Sequence, residues 1–286
     1  MINRIITFGD SFTEGEGAWL EKTTLIEKLY KDPSEGRLEA SKFNSKFSWP
    51  TVLGKLLDVK KVANEGSCGS NNSRIFNRVF EFDKDGMINE EDLVVIMWSS
   101  SLREKLPFFP HLFQQQSPVG LGWSLNEVFD SYGETNFLKR YYEGDESTVD
   151  YSKNTLEPFM KTFFKKYITN SYDAKYYNIL NFNFVYFLQE FFKYKKCKYI
   201  FIDAFESMNS FNRDYKKWKK INQSHYWNFG KNTAWNYLNN IGGDIFENKE
   251  LSFNPPGQKC HPNRHGYELI GKELAKFYKL KVASPI

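Results

Sequence analysis

Two short stretches near opposite ends of the 286-residue chain hold the residue types from which acyl chemistry is built. The first is Gly9-Asp10-Ser11-Phe12, which places a serine just after an apolar run. The second is Cys260-His261-Pro262-Asn263-Arg264-His265-Gly266. A serine hydroxyl is a weak nucleophile until a base takes its proton, and the oxyanion it creates needs hydrogen-bond donors. Ser11 is the candidate nucleophile and His261 the candidate base. Pro262 stiffens the loop after the histidine, and Asn263 can cap a following helix. Asp10 adjoins Ser11 and is better placed to brace the turn than to orient a distant imidazole. A plainer reading competes: Asp10-Ser11 as a helix cap, and His261 as an ordinary loop residue.

The elements that must position this pair can be read from apolar spacing. Ile5, Ile6 and Phe8 form a short buried strand that exits at Gly9 into the serine turn. The residues Lys31 to Lys46 form a polar surface loop. Trp49 to Leu57 has helical spacing with proline in its first turn. Val59 to Ala63 reads as a second strand, followed by a small-residue loop from Asn64 through Gly69 to Asn72 and a helix over Ser73 to Phe82. Leu93 to Trp98 is the clearest buried strand, and it stops at Ser99-Ser100-Ser101. Tyr176 to Lys193 reads as an apolar helix, Lys198 to Asp203 as a strand, Arg213 to Asn240 as mostly helical, and Gly266 to Leu280 as a closing amphipathic helix. Strand, loop and helix alternate, which is the pattern of a parallel α/β sheet. In such sheets ligands bind beyond the carboxyl ends of the strands, where Ser11, Gly69 and the Ser99–Ser101 run all fall. A helix opening at Ser11 would turn its positive end toward a developing anion.

No repeat or linker divides the chain, so a single domain over residues 1–286 is expected, with an irregular insertion or lid at about 104–175. That segment carries Phe108-Phe109-Pro110, Gln114-Gln115-Gln116 and Gly120-Leu121-Gly122-Trp123. It reads equally as a substrate wall and as a surface elaboration.

Composition excludes several classes. With 41% hydrophobic and 18% aromatic residues the chain can bury a core and is not a disordered one. The net charge of +4 is scattered. Its one dense run, Lys216-Lys217-Trp218-Lys219-Lys220, interleaves basic and aromatic residues as single-strand binders do, but it fits a solvated face with an inward tryptophan better, and no nucleic-acid partner is expected. The three cysteines have no metal-ligand spacing and suit a reducing compartment. No secretory signal and no span of roughly 20 apolar residues is seen, so no membrane partner is expected.

Taken together, the blocks resemble those of the SGNH (GDSL-like) hydrolases, over nearly the whole chain apart from the insertion. Gly9-Asp10-Ser11-Phe12 is similar to the family's first block, Asn64 through Gly69 to Asn72 to its second, and His261-Pro262-Asn263 to its last. The resemblance implies a three-layer α/β/α, flavodoxin-like fold with helices on both faces of a parallel sheet. It implies Ser11 as nucleophile, His261 as general base, and an oxyanion held by the N–H groups of Ser11 and Gly69 with a side chain of the third block. No metal or organic cofactor is implied. The substrate class would be an ester or O-acetyl group on a small molecule or a glycan.

Two positions depart from the family pattern. The third block lacks its Gly and Asn, leaving Ser101, or Ser100, to donate instead. The variant Trp98-Ser-Ser-x-x-Arg103 resembles that of phage-type members, which with the missing signal suggests a cytoplasmic or virion-associated protein. Gln258 stands where an aspartate would orient the histidine; its amide oxygen can still accept the imidazole N–H. Asp203, Asp244 or a backbone carbonyl are alternatives, and His265 is the alternative base. These departures keep open a catalytically weakened or inactive binding module, or an acyltransferase.

Overall fold

The computed structural model describes residues 2–18, 42–100, 174–205, 207–208, 216–242 and 261–283, with the backbone of short strands at 103–104, 123–124 and 252–253. In chain order the elements are β1 (Arg4–Gly9), α1 (Ser11–Glu14), α2 (Trp49–Leu56), β2 (Lys61–Gly66), α3 (Asn72–Phe82), β3 (Asp92–Trp98), β4 (Arg103–Glu104), β5 (Trp123–Ser124), α4 (Ala174–Tyr194), β6 (Lys198–Asp203), α5 (Ala234–Gly242), β7 (Ser252–Phe253), β8 (His261–Pro262) and α6 (Arg264–Phe277).

A four-stranded sheet in the order β2-β1-β3-β6 organises the chain, and every pairing in it is parallel. Parallel strands buried on both faces need apolar side chains at successive positions, and all seven residues of β3 are buried. Alternation then sorts them. Ile5, Leu93, Val95, Met97, Ile200 and Ile202 face one layer with Leu53 of α2, Leu238 of α5 and Tyr267, Ile270 and Leu274 of α6. Ile6, Phe8, Val94, Ile96, Trp98 and Phe201 face the other, with Ile75 and Val79 of α3 and Val185, Leu188 and Phe192 of α4. This is the three-layer α/β/α arrangement expected from the sequence.

At the amino end of the sheet, Arg4 and Asp92 are register partners, and the guanidinium holds the carboxylate through Nε at 2.9 Å and Nη2 at 2.8 Å. The clamp sets β1 against β3 at one end, so that both strands finish together at the other.

Several boundaries differ from expectation for identifiable reasons. β2 runs on to Gly66, because its ladder with β1 continues to the pair Gly9 and Gly66. Its polar Asn64 and Glu65 are tolerated because β2 is an edge strand and only partly buried. The segment expected to be mostly helical over Arg213 to Asn240 is, among its described residues, two 3₁₀ turns, at Lys216–Lys220 and Gln223–His225, followed by α5. Asn222 caps the second turn, and the Trp227 N–H then donates to the Phe201 carbonyl at 2.8 Å, drawing Tyr226 alongside β6. A backbone bond to the sheet edge overrides the helical spacing there. In the basic run the lysines are exposed and Trp218 is buried edge-on to Phe182. Tyr226 and Trp227 are buried as well. No helix among the described residues is long and apolar enough to cross a membrane. The insertion at 105–122 and 125–173 lies outside the described residues.

Phe201 is fully buried between Trp98, Phe192, Tyr199 and Tyr226. Replacing it with alanine is expected to lower unfolding free energy by about 3–5 kcal/mol, measured as a drop in the urea midpoint.

Candidate active site

The chain leaves β1 toward β2 on one side and later returns through β3 on the other, so the end of β1 is a point where strand order reverses. Ser11 opens α1 at this point and is almost fully buried. Its backbone is fixed by how α1 is capped. Asp10 is the N-cap: one carboxylate oxygen accepts the Phe12 N–H at 3.0 Å. The other accepts the Ser99 hydroxyl at 2.6 Å, which ties the turn to the end of β3. Asp10 does brace the turn, and the serine hydroxyl at position 99 is already engaged.

A second buried polar residue carries this link onward. Asn72, at the start of α3, accepts the Ser99 N–H at 2.8 Å and donates weakly to the carbonyls of Ser99 and Ser100, at 3.3 and 3.4 Å. On the other side, Asn64 of β2 donates to the Thr13 carbonyl at 2.8 Å and accepts the Gly66 N–H at 3.0 Å. Gly66 passes so close to α1 that a Cβ there would lie 2.4 Å from the Glu14 nitrogen. Three strand ends are therefore laced together by Asp10, Ser99, Asn72 and Asn64.

His261 reaches this cluster from far along the chain. β8 places it, pairing with β7 so that His261 stands opposite Phe253. The side chain of Asn263 caps α6 by accepting the Gly266 N–H at 3.0 Å, as the sequence suggested. The Phe12 ring, 5.8 Å from the imidazole, supports it from the core side. The result is a contact of 3.0 Å between His261 Nε2 and Ser11 Oγ, across 250 residues of sequence. That is hydrogen-bond distance for a nucleophile and its base.

The other expected residues fare differently. Gly69 lies in the turn after β2 with a φ of 73°, a left-handed conformation that suits glycine. Ser100 is buried just beyond β3. Ser101, Gln258 and Asp244 lie outside the described residues. Asp203 is committed elsewhere: its carboxylate accepts the Tyr226 hydroxyl at 2.6 Å and the Met208 N–H at 3.3 Å. His265 is exposed on α6. The helix at Ser11 is a single turn of four residues, so its dipole is small and backbone N–H groups, rather than a macrodipole, are what it can offer an anion.

Two acidic residues that no motif marks in the sequence, Glu14 and Glu16, border this pair. Glu16 brings Oε2 to 3.3 Å from His261 Nε2, and the same oxygen accepts the Cys68 thiol at 3.0 Å. Glu14 accepts the Cys68 N–H at 2.7 Å. Burial pushes the Glu14 carboxyl above the usual carboxylate range. The Cys68 N–H acts against that rise, and the neighbouring Glu16 charge adds to it. Their one signal in the sequence was position, within the same run as Ser11. Among the described residues, no group of three or more His, Cys, Asp or Glu side chains is placed to hold a metal ion.

No family model matches the sequence, and no curated protein matches it either. Two solved structures are similar to the chain, both named for the lipolytic G-D-S-L family. The protein from Desulfitobacterium hafniense DCB-2 is 12% identical, with a TM-score of 0.37 over 96% of this chain and 99% of its own. The protein from Veillonella parvula DSM 2008 is 12% identical, with a TM-score of 0.43 over 96% of this chain and 98% of its own.

Two substitutions test the lacing and the acidic border. Ser99→Ala removes a donor from the buried Asp10 carboxylate and should cost about 1.5–3 kcal/mol of unfolding free energy, read by urea denaturation at neutral pH. For Glu14, a carboxyl with a raised folded pKa binds its proton more tightly when folded. Its contribution is fully present below the unfolded value and is lost as pH rises through the folded one. Glu14→Gln should therefore gain stability relative to the unsubstituted protein as pH rises from about 4 to 7, measured by denaturation at both ends.

Proposed function

We propose that this protein is a serine esterase of the SGNH hydrolase type, cleaving an ester or O-acetyl group through an acyl-Ser11 intermediate. The observation that carries the reading is the 3.0 Å contact between Ser11 Oγ and His261 Nε2, at the strand-end switch point of a parallel sheet. In this scheme Nε2 takes the hydroxyl proton as Oγ attacks the acyl carbon. The imidazolium then gives that proton to the departing alcohol, and water, activated by the same nitrogen, releases the acid. Ser11 and Gly69 offer backbone N–H groups to the oxyanion, with a third-block serine, Ser100 or Ser101, as a further donor. The resemblance extends the substrate class to O-acetyl groups on glycans.

Hydrolysis of short-chain aryl esters tests this. Ser11→Ala and His261→Ala are each expected to lower kcat by about 10³-fold or more, with the fold retained by circular dichroism. Equal rates in the unsubstituted protein and Ser11→Ala would sink the reading and leave a binding module on the same fold. Comparing aryl acetate, aryl butyrate and an O-acetylated sugar then ranks the acyl and alcohol parts of the substrate.

A further inference from the structure

The reaction above makes a positive charge on His261 each time the Ser11 proton moves. A serine–histidine pair is effective when a third group holds the imidazole and stabilises its charged form. Here a carboxylate lies beside the imidazole, and the chain is shaped to put it there.

Glu16 sits between two glycines, Gly15 and Gly17, that both have a φ of 93°. Side chains at either place would be strained whatever space surrounds them. They would also collide. A Cβ on Gly15 would meet Ser48 Cβ at 2.6 Å, and one on Gly17 would meet the Pro262 carbonyl at 2.9 Å and His261 Cβ at 3.0 Å. The turn therefore packs directly against the loop that carries the base. Its backbone is pinned as well, since the fully buried Tyr267 of α6 donates its hydroxyl to the Glu16 carbonyl at 2.6 Å. The Cys68 thiol holds the carboxylate from the second strand-end loop. Three separate elements thus fix Glu16, while its side chain keeps about a third of its surface exposed (32%).

We propose that Glu16 is a positioning residue for His261, the carboxylate that stabilises the imidazolium formed when Nε2 takes the Ser11 proton. It gains no proton itself. The Oγ–H bond breaks, the proton passes to the Nε2 lone pair, Oγ bonds to the acyl carbon, and the carbonyl electron pair moves to the oxyanion. Glu16, 3.3 Å from Nε2, offsets the positive charge through that interval and lets go when the proton leaves with the alcohol. Among the described residues, Glu14 and Asp10 are the other carboxylates of this turn. Glu14 accepts the Cys68 N–H and also feels the His261 charge, Asp10 accepts from Phe12 and Ser99, and Glu16 makes the 3.3 Å contact with Nε2.

The inference rests on Ser11 being the nucleophile, and its test separates the two. Full-length protein is treated with a fluorophosphonate probe, and the labelling rate of Ser11 is followed by intact mass in the unsubstituted protein, Glu16→Gln and Glu16→Asp. All three are compared about 20 °C below the lowest unfolding midpoint, so that stability differences do not enter. Labelling of the unsubstituted protein is expected, with Glu16→Gln slower by about tenfold or more. Glu16→Asp should be faster than Glu16→Gln, because it keeps the charge. With an aryl ester, the loss in Glu16→Gln should fall on kcat and leave KM within about twofold. Labelling of Glu16→Gln at or above the unsubstituted rate overturns the proposal, and a faster rate would mark Glu16 as a competitor of Ser11 for Nε2. No labelling of the unsubstituted protein overturns the serine reading and this inference with it.

Discussion

The buried carboxylate of Asp10 is the interaction on which the site depends. A carboxylate removed from water is costly unless its oxygens are satisfied, and here each oxygen has a donor from a different part of the chain. One is the Phe12 N–H, which shapes the serine turn. The other is the Ser99 hydroxyl, which brings the end of β3 to that turn. Because Asn72 then accepts the Ser99 N–H, the order extends to the start of α3. The geometry of Ser11 follows from meeting the needs of a charge one residue away.

The sheet supplies the rigidity behind this. β1 and β3 are paired along their length and clamped by Arg4 and Asp92 at the amino end, with fully buried apolar residues on both faces. Close-packed strands of this kind do not shift independently. Ser11, placed at their shared carboxyl edge, inherits that precision. His261 has a less regular support, a two-residue strand and a capped helix, and it is steadied by contact with Phe12 and with the Gly15-Glu16-Gly17 turn. The two halves of the pair thus meet through side-chain packing rather than through backbone pairing.

Charge shapes the site as much as packing does. Asp10, Glu14 and Glu16 gather within seven residues of sequence, and Glu16 reaches the imidazole of His261. The loop bearing Cys68 divides their work, its N–H holding Glu14 and its thiol holding Glu16. One acid is drawn into the protein and the other is left facing the imidazole.

Much of this was legible from residue order alone. A short, β-branched-rich apolar run such as Leu93 to Trp98 between turn residues suits a strand covered on both faces, and all six of its residues are buried. Ser11 after such a strand, and Asn263 as the cap beyond His261, followed from local chemistry that needs only neighbours. The ends of β2, and the turns around Trp218 and Tyr226, were not legible, because a ladder with β1 and a backbone bond from Trp227 to Phe201 decide them. Nor could the sequence choose a carboxylate for His261. Asp203 looked available until the fold gave it to Tyr226, whereas Glu16 lies 245 positions from the histidine and becomes its neighbour only when Gly17 packs against His261 and Pro262. Residue types and short spacings set which groups could react. Which of them meet was decided by the order of strands in the sheet and by the turns that close on its edge, since contact between remote residues is a property of packing.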